Sequence, residues 1–391
     1  MTASAPDVES VSVNPGLTLI QDLPLAAHDV PARRLRSSGL AGERFSAIED
    51  AVRWHGAVQA QEPRMAKWSL AQRCADAPIE GDVDGVLARG AIVRTHVLRP
   101  TWHFVAGQDL VWLLQLTGPR VQAKNRSRYG ELGLDERTRA RSRARLAAAL
   151  EGGRRLTRKE IATVLERDGI DTSGQRLAYL LMDAELEAVI CSGNLQGTQH
   201  TYAALKEQVP GAGPLDRDCA LVELTRRYLA SHGPATVRDL GWWSGLTLAD
   251  IRHGLDGLAH EVTSEKFGDL DLWSIRSPED TVATPTTVRG AYLLPAFDEH
   301  VVGYRESRHL GDPRADTARA AWRDRRLPNG VVLLDGAVGG YWRRRVSDAT
   351  VAVEVVTYEQ LTAAQLDDVE SAAAELGRFV DRDVTLEVTR M

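Results

Sequence analysis

One succession of secondary-structure elements recurs three times before residue 280 and limits the folds that this chain can adopt. Each copy has helices with one apolar face, followed by two short strands joined by a turn. In the first copy the predicted helices are 45–58, 64–74 and 82–90, and the strands are 92–97 and 101–105. In the second copy the helices are 159–166 and 173–184, and the strands are 188–192 and 200–205. In the third copy the helices are 221–231, 237–243 and 247–258, and the strands are 261–263 and 270–275. Helices followed by a β-ribbon are the layout of the winged helix, a helix-turn-helix variant. The alternative is a chance succession of ordinary α+β units, which three copies disfavour more than one copy would.

The pattern changes after about residue 280. The predicted strands there are 291–297, 330–334, 341–344, 349–356 and 384–388, and residues 361–379 are predicted to form an amphipathic helix. Glycines between the strands supply tight turns. We interpret this part as a β-rich domain, a small barrel with one covering helix. The predicted fold class is therefore α+β, with three tandem winged-helix units and a C-terminal β-barrel-like domain.

Changes in pattern also predict where the domains begin and end. The predicted divisions are 1–28, an N-terminal tail and lead-in; 29–119, the first winged helix; 120–150, a basic helical connector; 151–208, the second winged helix; 215–278, the third; and 279–391, the C-terminal β-rich domain. A linker containing two prolines and two glycines, residues 209–214, precedes the third unit. The N-terminal residues are polar and acidic, which predicts a disordered tail and no signal peptide.

Composition favours a globular protein of a reducing cytoplasm. The 391 residues are 43% hydrophobic and 26% charged, and no apolar run approaches the roughly 20 residues of a membrane span. The three cysteines, Cys74, Cys191 and Cys219, are far apart in the sequence, so we expect neither a disulfide framework nor a zinc site. Nothing in the sequence supports a cofactor or a metal, and we expect a monomer.

Basic residues cluster although the formal net charge is -6. Residues 120–145 form the longest run, and shorter basic regions lie at 305–326 and 343–345. The first run contains Arg120, Lys124, Arg126, Arg128, Arg137, Arg139, Arg141, Arg143 and Arg145. A solvated helix face is the more common reason for one such run, but three runs favour a polyanionic partner.

Two glutamines separated by one alanine, Gln59-Ala60-Gln61, follow the first predicted helix and precede Pro63. An amide side chain can orient a water molecule or a polar ligand through its NH2 and C=O groups. Two solvated amides at a helix end are the plainer interpretation of this pattern.

Three further segments carry polar side chains at predicted turns. Residues 98–103 combine a guanidinium, a hydroxyl, an indole and an imidazole on a hairpin; residues 297–300 end an apolar strand with two carboxylates and an imidazole; and residues 194–199 form a polar hairpin tip. The candidate pocket residues are Arg99, Thr101, Trp102, His103, Asp298, Glu299 and His300. A packed hairpin, a polar turn at a domain boundary and a solvated tip are the corresponding structural interpretations.

Three motifs, in order, resemble the bacterial winged-helix DNA glycosylases, which include crosslink-repair and azinomycin-resistance enzymes. They are Val58-Gln59-Ala60-Gln61-Glu62-Pro63-Arg64, Arg94-Thr95-His96-Val97-Leu98-Arg99-Pro100-Thr101-Trp102-His103-Phe104-Val105 and Leu293-Leu294-Pro295-Ala296-Phe297-Asp298-Glu299-His300-Val301-Val302-Gly303-Tyr304. The resemblance covers roughly residues 30–380. It implies three winged helices and a β-barrel around a concave, C-shaped DNA cleft.

The resemblance also implies excision of N7-alkylated purines from double-stranded DNA, including bulky natural-product adducts and interstrand crosslinks. The family's catalytic motif falls on Gln59 and Gln61. Many relatives have a carboxylate at the second position, so the glutamine here points to the self-resistance branch. Because only Lys67 among the lysines is near the motif, we expect a monofunctional glycosylase that leaves an abasic site. The residues expected to contact DNA are Arg64, Lys124, Arg126, Arg128, Gln196, Arg305 and Arg343.

Two other functions remain open from the residues. A transcription regulator would use a winged helix to recognise an operator, although the second predicted helix of the second unit offers only Gln175 and Arg176 as readers of bases. An architectural protein would bind DNA without catalysis.

Overall fold

The computed structural model describes residues 29–197, 199–276, 288–311 and 330–391. The predicted N-terminal tail and lead-in, residues 1–28, lies outside the described residues, as does most of the basic region 305–326.

The first segment combines helices with a three-stranded antiparallel sheet. Its elements are α1 (Asp29–Ser37), α2 (Ile48–His55), β1 (Val58–Gln59), α3 (Pro63–Ala71), α4 (Glu80–Ala88), β2 (Ile92–Val97) and β3 (Thr101–Ala106). The strand order is β1-β3-β2, so the two-residue strand β1 is held at one edge. The turn between β2 and β3 requires Leu98 to adopt a positive φ of 61°, a conformation that is uncommon outside glycine.

Two long helices follow, α5 (Leu110–Glu131) and α6 (Glu136–Leu150). The prediction that the basic region 120–145 is helical is confirmed, but the region is exposed only in part. Arg139 and Arg143 bind the two carboxylate oxygens of buried Asp183, and Arg145 pairs with Asp168. These arginines fasten α6 to the second segment.

The second and third segments repeat the element order of the first. Their elements are β4 (Leu156–Thr157), α7 (Arg158–Arg167), α8 (Arg176–Leu186), β5 (Ile190–Ser192), β6 (Thr201–Ala204), α9 (Leu205–Gln208), α10 (Arg217–His232), α11 (Val237–Ser244), α12 (Leu248–Gly257), β7 (Val262–Phe267) and β8 (Leu270–Ile275). The second sheet has the order β4-β6-β5, which matches the first. In the third segment the edge strand is reduced to one bridge between Ala235 and Trp273.

The C-terminal part is a five-stranded sheet with one long helix. Its elements are β9 (Ala291–Pro295), α13 (Glu299–Val302), β10 (Gly330–Leu334), β11 (Ala337–Val346), β12 (Thr350–Thr357), α14 (Ala363–Phe379) and β13 (Asp383–Arg390). The prediction of a barrel is wrong, because the order β13-β12-β11-β10-β9 leaves β9 and β13 unpaired with each other among the described residues. The helix α14 connects β12 to a parallel β13 and covers the apolar face that a barrel would have closed around.

The apolar cores cross from one segment to another. Trp68 of α3 lies in one buried cluster with Leu293 of β9 and Phe379 of α14, and its indole N–H donates to the Leu293 carbonyl at 2.8 Å. Leu98 of the first segment shares another cluster with Trp243 of α11. The first segment therefore packs against both the third segment and the C-terminal sheet, and β1 lies where they meet.

Candidate active site

The two glutamines of the first motif lie on β1 and directly after it. Val58 and Ala60 are buried in the core, whereas Gln59 between them is 7% exposed and Gln61 is exposed. Gln59 belongs to β1, and Gln61 lies in the bend that follows this strand. The structure therefore combines a fixed, mostly buried amide with a solvent-accessible one.

The backbone of this motif is held by three hydrogen bonds from three directions. The Gln59 N–H donates to a carboxylate oxygen of Glu299 at 2.5 Å. The Ala60 N–H donates to the Trp102 carbonyl at 2.7 Å, and the Ala60 carbonyl accepts from Nε of Arg94 at 3.0 Å. A backbone fixed in this way gives the Gln59 amide a defined position.

Glu299, at the start of α13, is 1% exposed. Its second oxygen accepts from the Trp243 indole N–H at 2.8 Å and lies 3.4 Å from Nε2 of His232. Burial would raise the pKa of Glu299, but the His232 interaction and the Gln59 N–H outweigh it and hold the pKa below its usual value. A buried negative charge, stabilised by the hydrogen bonds that it accepts, thus lies against the backbone of Gln59.

Asp298 has a different role in the same segment. Its side chain caps α13 through the His300 N–H, accepts from Ser69 at 2.6 Å and forms a buried ion pair with Arg73 at 2.7 Å. Burial would raise the pKa of Asp298, but the Arg73 charge lowers it below the ordinary value. Asp298 therefore fixes α13 against α3, and so positions Glu299.

Two buried imidazoles near the site are neutral at pH 7. His103 pairs with Gln59 in the β1–β3 register; burial lowers the pKa of His103 to about 4, although the Glu299 charge raises it. His300 is also buried, and burial lowers its pKa to about 3 despite the Asp298 charge. Nε2 of His103 and Nδ1 of His300 have no hydrogen-bond partner among the residues that the structure describes. Neither group supplies a proton at neutral pH.

The predicted hairpin residues Arg99, Thr101 and Trp102 have separate environments. Nη2 of Arg99 lies 3.4 Å from Oε1 of Gln59. The carbonyl of Thr101 lies 3.0 Å from Nδ1 of His103, within hydrogen-bond distance. Trp102 is covered by the Arg94 guanidinium, 4.1 Å from the ring centroid. Of these three side chains, that of Arg99 lies within hydrogen-bond distance of a glutamine of the motif.

The residues expected to contact DNA differ in how free their side chains are. Lys124 and Arg126 are exposed on α5, and Arg305 is exposed after α13. The side chain of Arg64, in the first turn of α3, is 71% exposed, 3.9 Å from Glu80.

Three others already have partners within the chain. Arg128 pairs with Glu131, Arg343 pairs with Glu354 at 2.7 Å, and the Gln196 backbone pairs with that of Gln199.

Sequence reasoning missed Trp242 and Trp243 of α11. Trp243 is 0% exposed and donates to Glu299, whereas Trp242 is 38% exposed. Adjacent tryptophans on an amphipathic helix necessarily point in different directions, and that signal was present in the sequence.

Lys67 of α3 is also near the motif in the sequence, but its ammonium group is engaged. Nζ lies 2.6 Å from Asp84 and 3.3 Å from Glu80, and the residue is 4% exposed.

Within the part of the chain that the structure describes, no group of three or more His, Cys, Asp or Glu side chains is arranged to bind a metal ion. None of the described helices is long and apolar enough to span a membrane.

Comparison with known proteins identifies the family. The model of the AlkZ-like DNA glycosylases matches residues 52–379. The fold is similar to that of the DNA glycosylase AlkZ of Streptomyces sahachiroi, with a TM-score of 0.78 and 21% sequence identity over 94% of this chain and 100% of that one. No curated protein matches the sequence. The family resemblance of the three motifs is confirmed: the chain belongs to the AlkZ-like DNA glycosylases and is a DNA glycosylase.

Proposed function

We propose that this glycosylase is monofunctional, hydrolyses the N-glycosidic bond of N7-alkylated purines and leaves an abasic site. The substrates in this proposal include bulky natural-product adducts and interstrand crosslinks, in DNA repair or antibiotic self-resistance. The observation that carries it is the environment of Gln59: Glu299 accepts its backbone N–H, and Arg99 contacts its side-chain carbonyl. Burial lowers the pKa of the nearby His103 to about 4 and that of His300 to about 3, so both imidazoles are weak bases.

A site without a general acid suits a damaged nucleobase that is already a good leaving group. Alkylation at N7 gives the purine a positive charge, so the C1′–N9 bond breaks with its electron pair neutralising the ring. The sugar becomes an oxocarbenium-like cation, and a water molecule then adds to C1′ and loses its proton to solvent. The carbonyl dipoles of Gln59 and Gln61 would orient that water, and the buried Glu299 charge favours the cationic sugar.

The engaged Lys67 supports hydrolysis without a lyase step. A Schiff base needs a neutral amine that reaches C1′, but the Lys67 ammonium is buried between two carboxylates. Strand cleavage would therefore need added alkali.

We further propose that the three repeated segments are winged-helix units that, with the C-terminal sheet, surround a C-shaped cleft for duplex DNA. The order of helix, strand, helix, helix, strand and strand in the first two segments supports this, and the third segment differs in having one bridge in place of the first strand. The sheet order shared by the first two segments also supports it. The exposed Arg64, Lys124 and Arg126 would contact phosphates, which makes binding depend on salt. The protein would act as a monomer in the bacterial cytoplasm, at the nucleoid.

The test is release of N7-methylguanine from a duplex, scored as strand breaks after mild alkali. Wild type should release the base, the Gln59→Ala/Gln61→Ala double variant should not, and neither should break the strand without alkali. Absence of release by wild type from N7-methylguanine and from bulky N7 adducts would disprove the substrate class, and full activity of the double variant would disprove the site. A transcription regulator, by contrast, would bind one operator sequence without turnover, and membership of a glycosylase family disfavours it.

A further inference from the structure

An exposed indole lies close to two guanidinium groups, one of which contacts Gln59. The Cζ atom of Arg99 is 4.8 Å from the ring centroid of Trp242, and that of Arg305 is 5.0 Å from the same centroid. The neighbouring Trp243 is buried and donates to Glu299, which also binds the backbone of Gln59. The helix α11 therefore contacts the support of the glutamine motif through Trp243, while Trp242 is exposed. We call Arg99, Trp242 and Arg305 the Arg-Trp-Arg cluster.

The backbones that carry the two arginines are firmly held. Arg99 follows Leu98, whose N–H donates to the Thr117 hydroxyl at 3.2 Å. The N–H of Arg305 donates at 2.7 Å to Asp239, a fully buried carboxylate that also accepts from the next two backbone N–H groups. A binding site that is built on fixed backbones loses little conformational entropy when a ligand arrives.

Both guanidinium groups of the cluster lack a carboxylate partner among the described residues. Other arginines of this chain pair with acids: Arg73 with Asp298, and Arg227 with Asp109 at 2.6 Å. Two unpaired cations close to one ring repel each other, and an anion between them would relieve that repulsion. Guanidinium groups match phosphate oxygens in geometry, and an exposed indole such as that of Trp242 can stack against a base.

Arg99 also links the cluster to catalysis. Its Nη2 lies 3.4 Å from Oε1 of Gln59, a distance at which a hydrogen bond is weak. In this arrangement the Gln59 carbonyl faces a cation. An anion that draws Arg99 away would free the carbonyl.

We propose that the Arg-Trp-Arg cluster binds a backbone phosphate of DNA next to the target nucleotide, with the adjoining sugar or base against Trp242. Arg99 leaves Gln59 when it binds the phosphate, so the Gln59 carbonyl becomes free to orient water only on bound DNA. The consequence for Gln59 rests on the proposed function; the phosphate site itself is tested by binding alone.

The experiment measures fluorescence anisotropy of a labelled undamaged duplex at several KCl concentrations, with the full-length protein. Arg305→Gln and Arg99→Gln should each weaken binding on the order of fivefold to tenfold near 0.1 M salt and reduce the slope of log K against log salt by about 0.9, the value for one phosphate. Trp242→Ala should weaken binding but leave the slope unchanged, because the indole carries no charge. Arg378→Gln, at an exposed position near the end of α14, is the matched control and should bind like wild type.

Single-turnover release of N7-methylguanine, measured over a range of enzyme concentrations, then tests the movement of Arg99. Arg99→Gln should need about fivefold to tenfold more enzyme to reach half of its maximal rate, in proportion to its weaker binding, because on DNA the lost contact is with the phosphate and not with Gln59. Unchanged affinity and slope in both arginine variants would overturn the phosphate site. An Arg99→Gln variant that binds normally but reacts more than about tenfold slower would make Arg99 an orienting group of Gln59 instead. Failure of wild type to release the base would contradict the proposed function and leave the binding test decisive.

Discussion

The carboxylate of Glu299 accepts the backbone N–H of Gln59 at 2.5 Å, across 240 residues of sequence. One oxygen of this buried side chain binds the backbone of the Gln59-Ala60-Gln61 motif, while the other binds Trp243 of α11. A single carboxylate thus connects the C-terminal part, the first segment and the third segment at the point where chemistry is proposed.

The first prediction concerns the negative charge of Glu299. Glu299→Gln keeps the size of the side chain and removes the negative charge. Its NH2 group would also face one of the two N–H donors, the Gln59 backbone or the Trp243 indole. We expect the single-turnover rate of base release to fall about 10- to 100-fold, the usual effect of a displaced reacting group, with DNA affinity close to wild type. Glu261→Gln, which loses an exposed pair with Arg226, is the control. Full activity in a folded Glu299→Gln protein would contradict the role.

The second prediction separates a buried ion pair from an exposed one. Asp298→Asn leaves the Arg73 charge buried without its partner, which should lower the free energy of unfolding by about 3–5 kcal/mol. Glu354→Gln removes the partner of Arg343, whose side chain is one-third exposed, and should cost no more than about 1 kcal/mol. Urea unfolding measures both. Equal losses would show that Asp298 does not hold α13 in the way that its contacts indicate.

The third prediction follows from three buried histidines. Burial lowers the pKa of His55 to about 3, of His103 to about 4 and of His300 to about 3. In the unfolded chain these groups bind protons below about pH 6.5, whereas the folded protein binds them only near pH 3 to 4. Stability should therefore rise with pH between about 4 and 6.5 and level off above that range.

Urea midpoints measured from about pH 5 to 8 test this dependence. Asp298 and Glu299 also affect stability, but only at lower pH. Because their pKa values are lowered in the folded protein, the stability that they contribute is lost as pH falls below the ordinary carboxyl range. His103→Asn should reduce the rise. A midpoint that is higher at pH 5 than at pH 7 would contradict the assignment of neutral buried imidazoles.

Local patterns predicted the elements of this fold well. Apolar periodicity identified the helices of all three segments, and the bounds moved by only a few residues; the helix predicted at 173–184, for example, is α8, Arg176–Leu186. The turn predicted at 264–269 was too long, because β7 continues to Phe267. Strand alternation cannot distinguish an open sheet from a closed barrel, and the barrel was therefore a wrong prediction.

The site could be predicted only in part. The glutamine motif and the segment that contains Glu299 were both identified, but their contact joins residues far apart in sequence, which no periodicity encodes. Nor could charge runs reveal which cations are free: Arg139 and Arg143 of the basic run bind Asp183, whereas Arg305 remains exposed. Trp242 was missed because a lone exposed indole acquires meaning only from Arg99 and Arg305 beside it.

The fourth prediction concerns the second glutamine. Wild-type base release should be independent of pH between about 5.5 and 8, because His103 and His300 are neutral throughout that range and the amides of Gln59 and Gln61 do not titrate. Gln61→Glu adds a carboxylate at an exposed position, whose pKa should lie near the ordinary value of about 4.3. Its ionised form would add general-base assistance and attraction for the cationic sugar, so the rate should rise with pH through that value.

The measurement is a single-turnover pH profile on an N7-methylguanine duplex, from about pH 4 to 8, for wild type, Gln61→Glu and Gln61→Ala. We expect Gln61→Ala to be slower than wild type but equally flat, because it removes the amide without adding a titrating group. Gln61→Glu alone should show a single ionisation, with the ionised form the more active. A wild-type profile that already rises through pH 6 to 7 would mean that a titrating group acts in catalysis, and the proposal of two neutral amides holding a water at C1′ would then be wrong.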